Sequence, residues 1–386
     1  MRILYIVKTL PFQYKGGIQT HTWKLSQKML ERGHEVSILC GGSLKRGFKK
    51  YELEGRSILE LPYLPGRKFP FLKKISEEVF FNWAAARWLQ TNQNSFDLVH
   101  LQGRSGLGIY GFNSRISLPI FHTFHGLISV ERKMNTLNEK LSIEDKFHVR
   151  IFSSWEKKSL EKSNGIIAVS QKMKSDLRTL NKNLSERASI IPNGIEPFEV
   201  EEQDQPNENN LLFVARLEKL KGIYPLLEAM LLVKNDLRLF IIGEGSQRAE
   251  MEAFLKENAL SDKVFLLGSK NEKEVFAQIQ KSRALILPSF HETQGIVLME
   301  ANICKKPVLA SNIPGINEVV KDGFNGLLFE AGNAKDMAAK IDQLFSDQQL
   351  SESLGKNGFQ WVQEQFSWDK IADLTELNYQ QHLQHA

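Results

Sequence analysis

The sequence predicts an α/β protein with two Rossmann-like, doubly wound domains, each built around a parallel β-sheet. Three observations support this prediction. The chain has 386 residues, more than one hydrophobic core usually serves. Short apolar runs alternate with amphipathic segments, as in strands joined by crossover helices. A polar stretch without periodicity, residues 199–210, separates two sets of these runs and is predicted to be a linker or surface loop.

The first half contains five apolar runs that we predict to be buried strands of one parallel sheet. They are Ile3–Val7, Val36–Cys40, Leu98–Leu101, Ile120–Phe124 and Gly165–Val169. Between the first two, residues 19–32 are predicted to form a helix that Gly33 terminates. The opening run stops at Lys8, and no later segment approaches eighteen apolar residues, so we expect neither a signal peptide nor a membrane span.

The second half contains five further runs that we predict to be strands of a second parallel sheet. They are Asn210–Val214, Leu237–Ile242, Lys263–Leu267, Ala284–Leu287 and Lys306–Ala310. Residues 360–386 are predicted to form one final helix. Two doubly wound domains that face each other leave a central cleft between the carboxyl ends of their strands, and ligands bind at such crevices.

The net charge of +5 conceals two halves of opposite sign. Residues 1–193 hold 31 Lys and Arg against 16 Asp and Glu, or +15, whereas residues 194–386 hold 19 against 29, or −10. Two basic stretches that also contain Phe, Lys45–Lys50 and Arg67–Lys74, fit an anionic membrane surface or a lipid-like acceptor; a solvated basic face explains them equally well. Nucleic acid is a poorer fit, because the second half is acidic and no binding motif is present.

The only two cysteines, Cys40 and Cys304, each lie within an apolar stretch. We interpret them as buried free thiols, which are typical of a protein in the reducing cytoplasm. Neither has a second thiol nearby, so the sequence contains no cysteine metal motif. The predicted location is the cytoplasm, with peripheral attachment to the inner face of the cell membrane if the basic stretches bind lipid.

Two loops of the first half are candidates for contact with a ligand. Gly16 and Gly17 lie between the first strand and the first helix, where two glycines let the backbone approach a ligand and leave amides free for an anion. The full GxGxxG pattern is absent, and a plain turn also explains these glycines. His125 follows the strand Ile120–Phe124 and is placed to meet a ligand, whereas His122 is expected to face the sheet or a packing layer.

In the second half, Arg216 follows the strand Asn210–Val214, and Lys221 with Gly222 opens the next helix. This arrangement places two cations beside a helix N-terminus, which attracts a diphosphate. An ion pair with Glu218 is the alternative for either cation taken separately.

The segment around Glu292 is the most informative in the chain. Glu292 lies in the loop after the strand Ala284–Leu287, and Gly295 begins an apolar helix whose free amides are able to receive a phosphate. Glu300 lies on the second turn of that helix, in an apolar run where a carboxylate needs a polar partner. Hydroxyl groups of a ribose or a sugar are suitable partners, and a buried ion pair is the weaker alternative.

Together these segments resemble the family-4 glycosyltransferases, which are retaining enzymes with the GT-B fold. The resemblance covers nearly the whole chain, and its specificity comes from the order and spacing of several short motifs. They are Gly16-Gly17, His125-Gly126, Ile191-Pro192-Asn193-Gly194-Ile195, Arg216 with Lys221-Gly222, Ile242-Gly243-Glu244-Gly245, Glu292 with Glu300, Pro314-Gly315-Ile316-Asn317-Glu318, Asp322-Gly323-Phe324-Asn325-Gly326 and Phe366-Ser367-Trp368.

The resemblance implies a role for each candidate in the second half. Arg216 and Lys221 would hold the donor diphosphate and stabilise the leaving group. Glu300 would bind the ribose hydroxyls, and Glu292 would bind a hydroxyl of the transferred sugar. Three consecutive residues would offer backbone amides to the sugar and phosphate: Gly295, Ile296 and Val297.

In the first half, the resemblance implies that Gly16 and Gly17 approach the donor and that His125 lies against the donor sugar near the reaction centre. It implies no metal ion and no other cofactor, because the two cations do the charge work of a divalent ion. The nucleotide sugar is then a co-substrate.

The function that the resemblance implies is transfer of a hexose from a nucleotide diphosphate sugar to a glycan or lipid-linked glycan, with a UDP-sugar favoured over GDP-mannose. The implied domains are an acceptor-binding domain of residues 1–193 plus 366–386, onto which the last helix packs back, and a nucleotide-sugar-binding domain of residues 194–365. This chain departs from the family pattern at Gln294, where many members have an aromatic residue, and at Pro314 in a turn that is usually Gly-Gly. We expect Gln294 to affect the choice of donor sugar.

Two other functions fit the same fold: a nucleotide-sugar epimerase and a non-catalytic nucleotide-sugar-binding protein. The pair of Glu292 and Glu300 and the segment around Trp368 favour transfer over epimerisation. A protein that only binds would be expected to lack Lys221 or Glu292, and both are present.

Overall fold

The computed structural model describes residues 1–14, 16–64, 73–128, 130, 143–197 and 209–384. The chain forms two compact units and passes between them twice. The first unit consists of Met1–Pro192 and Trp368–Ala386, and the second unit consists of Asn193–Ser367. Most of the polar stretch 199–210 and of the basic stretch Arg67–Lys74 lies outside the described residues.

The first unit is built around an eight-stranded sheet. Its strands are β1 (Arg2–Ile6), β2 (Glu35–Ser43), β3 (Lys49–Leu53), β4 (Arg56–Tyr63), β5 (Leu98–Gln102), β6 (Ile120–Phe124), β7 (Gly165–Ala168) and β8 (Ala188–Ile190). They lie in the order β3-β4-β2-β1-β5-β6-β7-β8, and each pair of neighbours is parallel except β3 with β4. The helices of this unit are α1 (Gly17–Glu31), α2 (Lys73–Asn92), α3 (Gly108–Gly111), α4 (Ile143–Lys162), α5 (Gln171–Leu180), α6 (Lys182–Arg187) and, at the end of the chain, α14 (Trp368–Leu383).

The second unit is built around a six-stranded parallel sheet. Its strands are β9 (Asn210–Val214), β10 (Arg238–Ile242), β11 (Val264–Gly268), β12 (Ala284–Leu287), β13 (Val308–Ser311) and β14 (Gly326–Phe329), in the order β11-β10-β9-β12-β13-β14. Its helices are α7 (Ile223–Leu232), α8 (Arg248–Glu257), α9 (Glu272–Lys281), α10 (Ile296–Ile303), α11 (Ile316–Val319), α12 (Ala334–Ser346) and α13 (Gln348–Phe366). The strand order reverses between β9 and β12, so the carboxyl ends of these neighbours form the topological switch point, where ligands bind in doubly wound sheets.

All ten predicted strands are confirmed, as is the first helix, which Gly33 follows with a φ of +80°. Four strands are missing from the prediction: β3, β4, β8 and β14. The first two form an edge hairpin around a turn at Glu54 and Gly55, which have φ angles of 49° and 76°. Every residue of strand β3 is exposed or half-buried, so the strand lacks the continuous apolar run that identifies a buried strand.

The prediction of one helix over residues 360–386 is wrong. Helix α13 ends at Phe366, Ser367 is extended with a ψ of 143°, and α14 begins at Trp368. The backbone of Ile195 accounts for the break: its amide donates to the Phe366 carbonyl at 2.7 Å, and Ile195 forms a parallel β-bridge with Ser367. An extended residue that pairs with another segment cannot continue a helix.

Helix α14 completes the core of the first unit. Tyr379 is fully buried, and its ring packs at 4.7 Å from the ring of Phe121. Its hydroxyl lies 3.3 Å from that of Tyr5 and 2.5 Å from Nδ1 of His100. Burial lowers the pKa of His100 to about 3, so this histidine is a neutral structural group. The buried hydrogen bonds among Tyr5, Tyr379 and His100 therefore connect α14 to β1 and β5.

Two further predictions concern membrane spans and thiols. None of the helices in the described part of the chain has the length and apolarity needed to cross a membrane. Cys40 is buried, as predicted, whereas Cys304 is half-buried at the end of α10; both thiols are free.

Candidate active site

The turn that follows β9 is held by the loop that follows β10. The amides of Ala215 and Leu217 donate to the carbonyls of Ile242 and Glu244 at 3.1 and 2.9 Å. A Cβ atom on Gly243 would lie 1.9 Å from the Ala215 carbonyl oxygen, closer than any side chain permits. The glycine of this motif is therefore required by close packing, and it fixes the turn that carries Arg216.

Lys221 is placed by a second close approach. It ends a 3-10 turn, Lys219–Lys221, and Gly222 then caps α7 with a φ of +69°. A Cβ atom on Gly222 would lie 1.8 Å from the Pro288 carbonyl oxygen, and the Phe290 amide donates to the Leu220 carbonyl at 2.9 Å. The loop after β9 is thus pressed against the loop after β12 at the switch point.

This approach brings Lys221 and Glu292 together. The Lys221 ammonium donates to Oε1 of Glu292 at 2.6 Å, with side chains only 19% and 14% exposed. Ser289 donates to the same carboxylate oxygen at 3.0 Å. Two residues that are 71 positions apart in the sequence therefore form one oriented, partly buried charge pair, which is a stronger interaction than an exposed pair.

Arg216 also lies in the loop after the carboxyl end of β9, but its side chain is in solvent. Its side chain is 75% exposed, and its guanidinium donates to Glu218 at 2.7 Å. This ion pair is the alternative that the sequence left open for Arg216. An exposed pair of this kind contributes about 0–1 kcal/mol, so a diphosphate competes with Glu218 for the guanidinium at little cost.

Helix α10 begins at the residue predicted from the sequence. Gly295 is its N-cap, with a φ of +72°, and the amides of Ile296 and Val297 in the first turn have no acceptor within the helix. The turn at Gly315 supports this loop, because a Cβ atom there would lie 2.4 Å from the Glu292 carbonyl oxygen. Positive φ is thus needed at Gly315 and not at Pro314, which explains why one glycine suffices in that turn.

Glu300 lies on the second turn of α10 and is half-buried. Within the described ranges, its carboxyl group has no hydrogen-bond or ion-pair partner, so the buried ion pair considered from the sequence is not formed. Burial raises the pKa of Glu300 to about 7, and repulsion from the Glu272 carboxylate adds to this shift. A half-buried carboxyl group with free acceptors is suited to the hydroxyl groups of a ligand.

Gln294, at which the chain departs from the family pattern, is buried in the second unit. Its side chain is 2% exposed and is turned into the segment around Asn193, from which Oε1 accepts two hydrogen bonds. The side chain therefore supports the loop from within. Nothing in its sequence neighbourhood signals the contact with Asn193.

In the first unit, the candidate residues lie in the loops that follow the carboxyl ends of β1 and β6. Gly16 is the extended N-cap of α1, no side chain caps that helix, and Gly17 is its first residue. His125 is half-buried and donates from Nε2 to Oε1 of Gln102 at 3.3 Å, while its ring lies 4.9 Å from that of His21. Sequence reasoning missed Gln102, which is fully buried at the end of β5.

His122 is a structural residue, as expected. It is fully buried, and its Nε2 donates to the Gly103 carbonyl at 2.6 Å while its Nδ1 accepts from Ser159 at 2.7 Å. Burial lowers its pKa to about 3, so the ring stays neutral. Across the described part of the chain, no group of three or more His, Cys, Asp or Glu side chains is arranged to hold a metal ion.

The sequence and the fold of this chain are similar to those of known proteins. An uncharacterized glycosyltransferase of Methanocaldococcus jannaschii is 28% identical over 374 residues, which cover 95% of this chain and 94% of the relative. Sucrose-phosphate synthase from Thermosynechococcus elongatus has the same fold, with a TM-score of 0.77, 22% identity and full coverage of both chains. The Anabaena protein HepE, solved in complex with UDP-glucose, has a TM-score of 0.73 and 18% identity, with 98% of this chain and all of that chain covered.

Two family models match consecutive parts of the sequence. Residues 15–197 match Glycosyltransferase Family 4, and residues 195–361 match Glycosyl transferases group 1. The matched parts contain both loops of the first unit and the entire switch-point site of the second. The chain therefore belongs to the family-4 glycosyltransferases and is a transferase with the GT-B fold.

Proposed function

We propose that the protein transfers a hexose from a nucleotide diphosphate sugar, with UDP as the favoured nucleotide, to a glycan or lipid-linked glycan. We further propose that transfer retains the anomeric configuration and needs no metal ion. The observation that carries the proposal is the pair of Lys221 and Glu292, held at the switch point beside the open N-terminus of α10. The UDP-glucose bound to the related HepE structure supports the choice of donor.

The second unit supplies the charges that the reaction requires. Lys221 and Arg216 neutralise the diphosphate as its bond to the sugar breaks, and the amides of Ile296 and Val297 donate to the phosphate or sugar oxygens. Glu292 accepts from a sugar hydroxyl, and Glu300 accepts from the ribose. The departing phosphate takes the proton of the acceptor, so no protein base is required. In the first unit, the proposal assigns a backbone contact with the donor to Gly16 and Gly17, and a place against the transferred sugar to His125.

The direct test is thermal stabilisation by nucleotides in the presence of a chelator. UDP and a UDP-sugar at about 100 times their dissociation constants are expected to stabilise the native protein by about 2.7 kcal/mol, whereas ADP has little effect. This gain raises the melting temperature by several degrees. A shift that requires a divalent cation would contradict metal independence. If no nucleotide gives a shift, the donor-site assignment is wrong.

The affinity for the donor is expected to depend on pH through Glu300. Its pKa of about 7 is raised by burial, and the ionised form is the better acceptor for two ribose hydroxyls. Binding therefore favours the carboxylate and releases a proton, so affinity rises with pH between 6 and 8, by about tenfold for each unit by which binding lowers the pKa. Titration calorimetry with a UDP-sugar measures this dependence, because its diphosphate diester does not itself titrate in that range.

The matched variant for this experiment is Glu300→Gln. The amide does not ionise, so its binding of the same UDP-sugar is expected to be weaker and independent of pH. A wild-type affinity that stays flat across this range would remove Glu300 from the ribose site.

We also propose that the first unit binds an anionic membrane surface at the inner face of the cell membrane, where a lipid-linked acceptor would be found. The residues Lys45, Arg46, Lys49 and Lys50 are all exposed. Among them, Phe48 and Leu44 are 48% and 44% exposed. Basic and apolar side chains on one exposed segment, which runs from a 3-10 turn into the start of β3, are suited to an anionic lipid interface.

Reversing these four charges to Glu is expected to weaken binding to phosphatidylglycerol-containing vesicles by at least about 100-fold, since each basic residue near such a surface contributes about 1 kcal/mol. Flotation with these vesicles, and with neutral phosphatidylcholine vesicles, measures the effect. A matched control reverses four exposed lysines of the second unit: Lys256, Lys263, Lys273 and Lys335. Equal binding by both variants would show that the basic stretch is merely solvated.

A further inference from the structure

The two passages of the chain between the units are tied to each other. They occur at Pro192–Asn193 and at Ser367–Trp368. The Ile195 amide donates to the Phe366 carbonyl at 2.7 Å, and Ile195 bridges with Ser367. Residues 193–195 and 366–367 thus form one short paired connection, which we call the crossover pair.

Residues 292–295, which precede α10, form a loop that we call the donor loop. Gln294 joins this loop to the crossover pair. Its Oε1 accepts from the backbone amide of Asn193 at 2.9 Å and from Nδ2 of Asn193 at 2.6 Å. Its Nε2 donates to the Asn193 carbonyl at 3.4 Å. A backbone amide is only a donor, so the Gln294 side chain has a fixed orientation. Three bonds to one residue, in a side chain that is 2% exposed, make this an oriented linkage rather than a surface contact.

Contacts with other parts of the second unit hold the remaining residues of the donor loop. Glu292 is held by Lys221 at 2.6 Å and by the close approach of Gly315 to its carbonyl oxygen. Gly295, at the other side of Gln294, is the N-cap of α10. Gln294 is the residue of this loop whose side chain bonds to Asn193 of the crossover pair, so a change in the order of the loop reaches Asn193 through it.

Asn193 also carries an unsatisfied group. It is 5% exposed, and its Oδ1 is a buried acceptor that has no hydrogen-bond partner among the residues that the structure describes. The backbone amide and Nδ2 of Asn193 both depend on Gln294 for their acceptor, so local opening at Asn193 requires that these bonds break.

We infer that Gln294 is a positioning residue that transmits occupancy of the donor site to the crossover pair. A nucleotide that fixes the loop from Glu292 to Gly295 also fixes Gln294, and local opening at Asn193 and Ile195 becomes rarer although the ligand touches neither residue. This inference rests on the proposed function, because it requires that a nucleotide binds at this loop. The effect of Gln294 on the choice of donor sugar, expected from the family pattern, stays a separate prediction.

Hydrogen exchange of the full-length protein, read by mass spectrometry in the peptide over residues 191–197, tests the inference. Saturating UDP, with GDP in parallel, is expected to slow exchange in this peptide by about tenfold in the wild type. Gln294→Met has a similar length but cannot form the bonds to Asn193. This variant is expected to bind the nucleotide, as judged by its melting temperature, with less than about a twofold change in exchange of that peptide.

Two further variants keep the experiment decisive. Asn193→Ala removes only the 2.6 Å bond and is expected to give an intermediate response, which tests the linkage even if Gln294→Met does not fold. Ser282→Ala deletes another buried side-chain hydrogen bond of the second unit, to Gln278, and is expected to respond like the wild type.

The outcomes separate the two proposals. Nucleotide binding without slower exchange over residues 191–197, or with equal slowing in Gln294→Met, would overturn this inference and leave the proposed function intact. Failure of the wild type to bind either nucleotide would overturn the proposed function, and this inference with it.

Discussion

Lys221→Ala is expected to lower the turnover of the nucleotide sugar by about 100-fold or more, which corresponds to the loss of about 3 kcal/mol of transition-state stabilisation. The Lys221 side chain is 19% exposed and its ammonium is already oriented by Glu292, so little reorganisation is needed when the diphosphate leaves. Release of UDP from a UDP-sugar, with water as the acceptor if no other is known, measures the rate. The neighbouring Lys219→Ala is the matched control, because Lys219 belongs to the same 3-10 turn and is exposed.

Glu292→Gln tests the other half of the charge pair. This variant preserves the shape of the side chain and the bond from Ser289, and we expect a loss of turnover of similar size. Because Glu292 is assigned to the sugar and not to the diphosphate, binding of UDP itself should change by less than about threefold. Full activity in either the Lys221 or the Glu292 variant would remove that residue from the site.

Gly222→Ala is expected to destabilise the second unit by about 3–5 kcal/mol, at the upper end of the range for single substitutions. Two costs add together: a φ of +69° that disfavours any side chain, and a Cβ atom 1.8 Å from the Pro288 carbonyl oxygen. The melting temperature is expected to fall by about 10 °C. If the variant folds, donor binding should also weaken, because the loop that holds Lys221 must move away from Glu292.

Gly33→Ala provides the comparison that separates these two costs. Gly33 has a φ of +80°, but a Cβ atom there would meet nothing within 4 Å. We expect a loss of about 1–2 kcal/mol from the backbone conformation alone. Equal losses at Gly222 and Gly33 would mean that the loop after β12 yields to the added methyl group, and that its position is less constrained than the packing indicates.

The sequence reveals the buried parts of the fold and misses the exposed ones for one physical reason. A central parallel strand is covered on both faces, so Asn210–Val214 reads as a continuous apolar run. The edge strand Lys49–Leu53 is solvated and carries charged residues, so a search for continuous apolar runs does not detect it. The break at Ser367 is invisible for a different reason, since it depends on pairing with Ile195, 172 positions away.

Much of the candidate site is also readable from the sequence, because helix starts and glycines have local signatures. Gly295 and Gly222 are placed correctly at the beginnings of their helices. The partners of each polar side chain are not readable, since they come from distant parts of the chain. The contact of Lys221 with Glu292 spans 71 positions, and that of Gln294 with Asn193 spans 101. Only the folded loops show that Gln294 is enclosed while Arg216 is open to solvent.

The contribution of α14 to the first unit has a consequence for folding during synthesis. Residues 1–192 leave the ribosome first, but Tyr5, His100 and Phe121 lack their partner Tyr379 until the second unit has been synthesised. At about 5–20 residues per second, synthesis of the intervening second unit takes roughly 10–35 s. During that interval the nascent first unit exposes the apolar surface that α14 later covers. The sheet of the first unit is therefore synthesised first, but its core is completed only after the second unit has been synthesised.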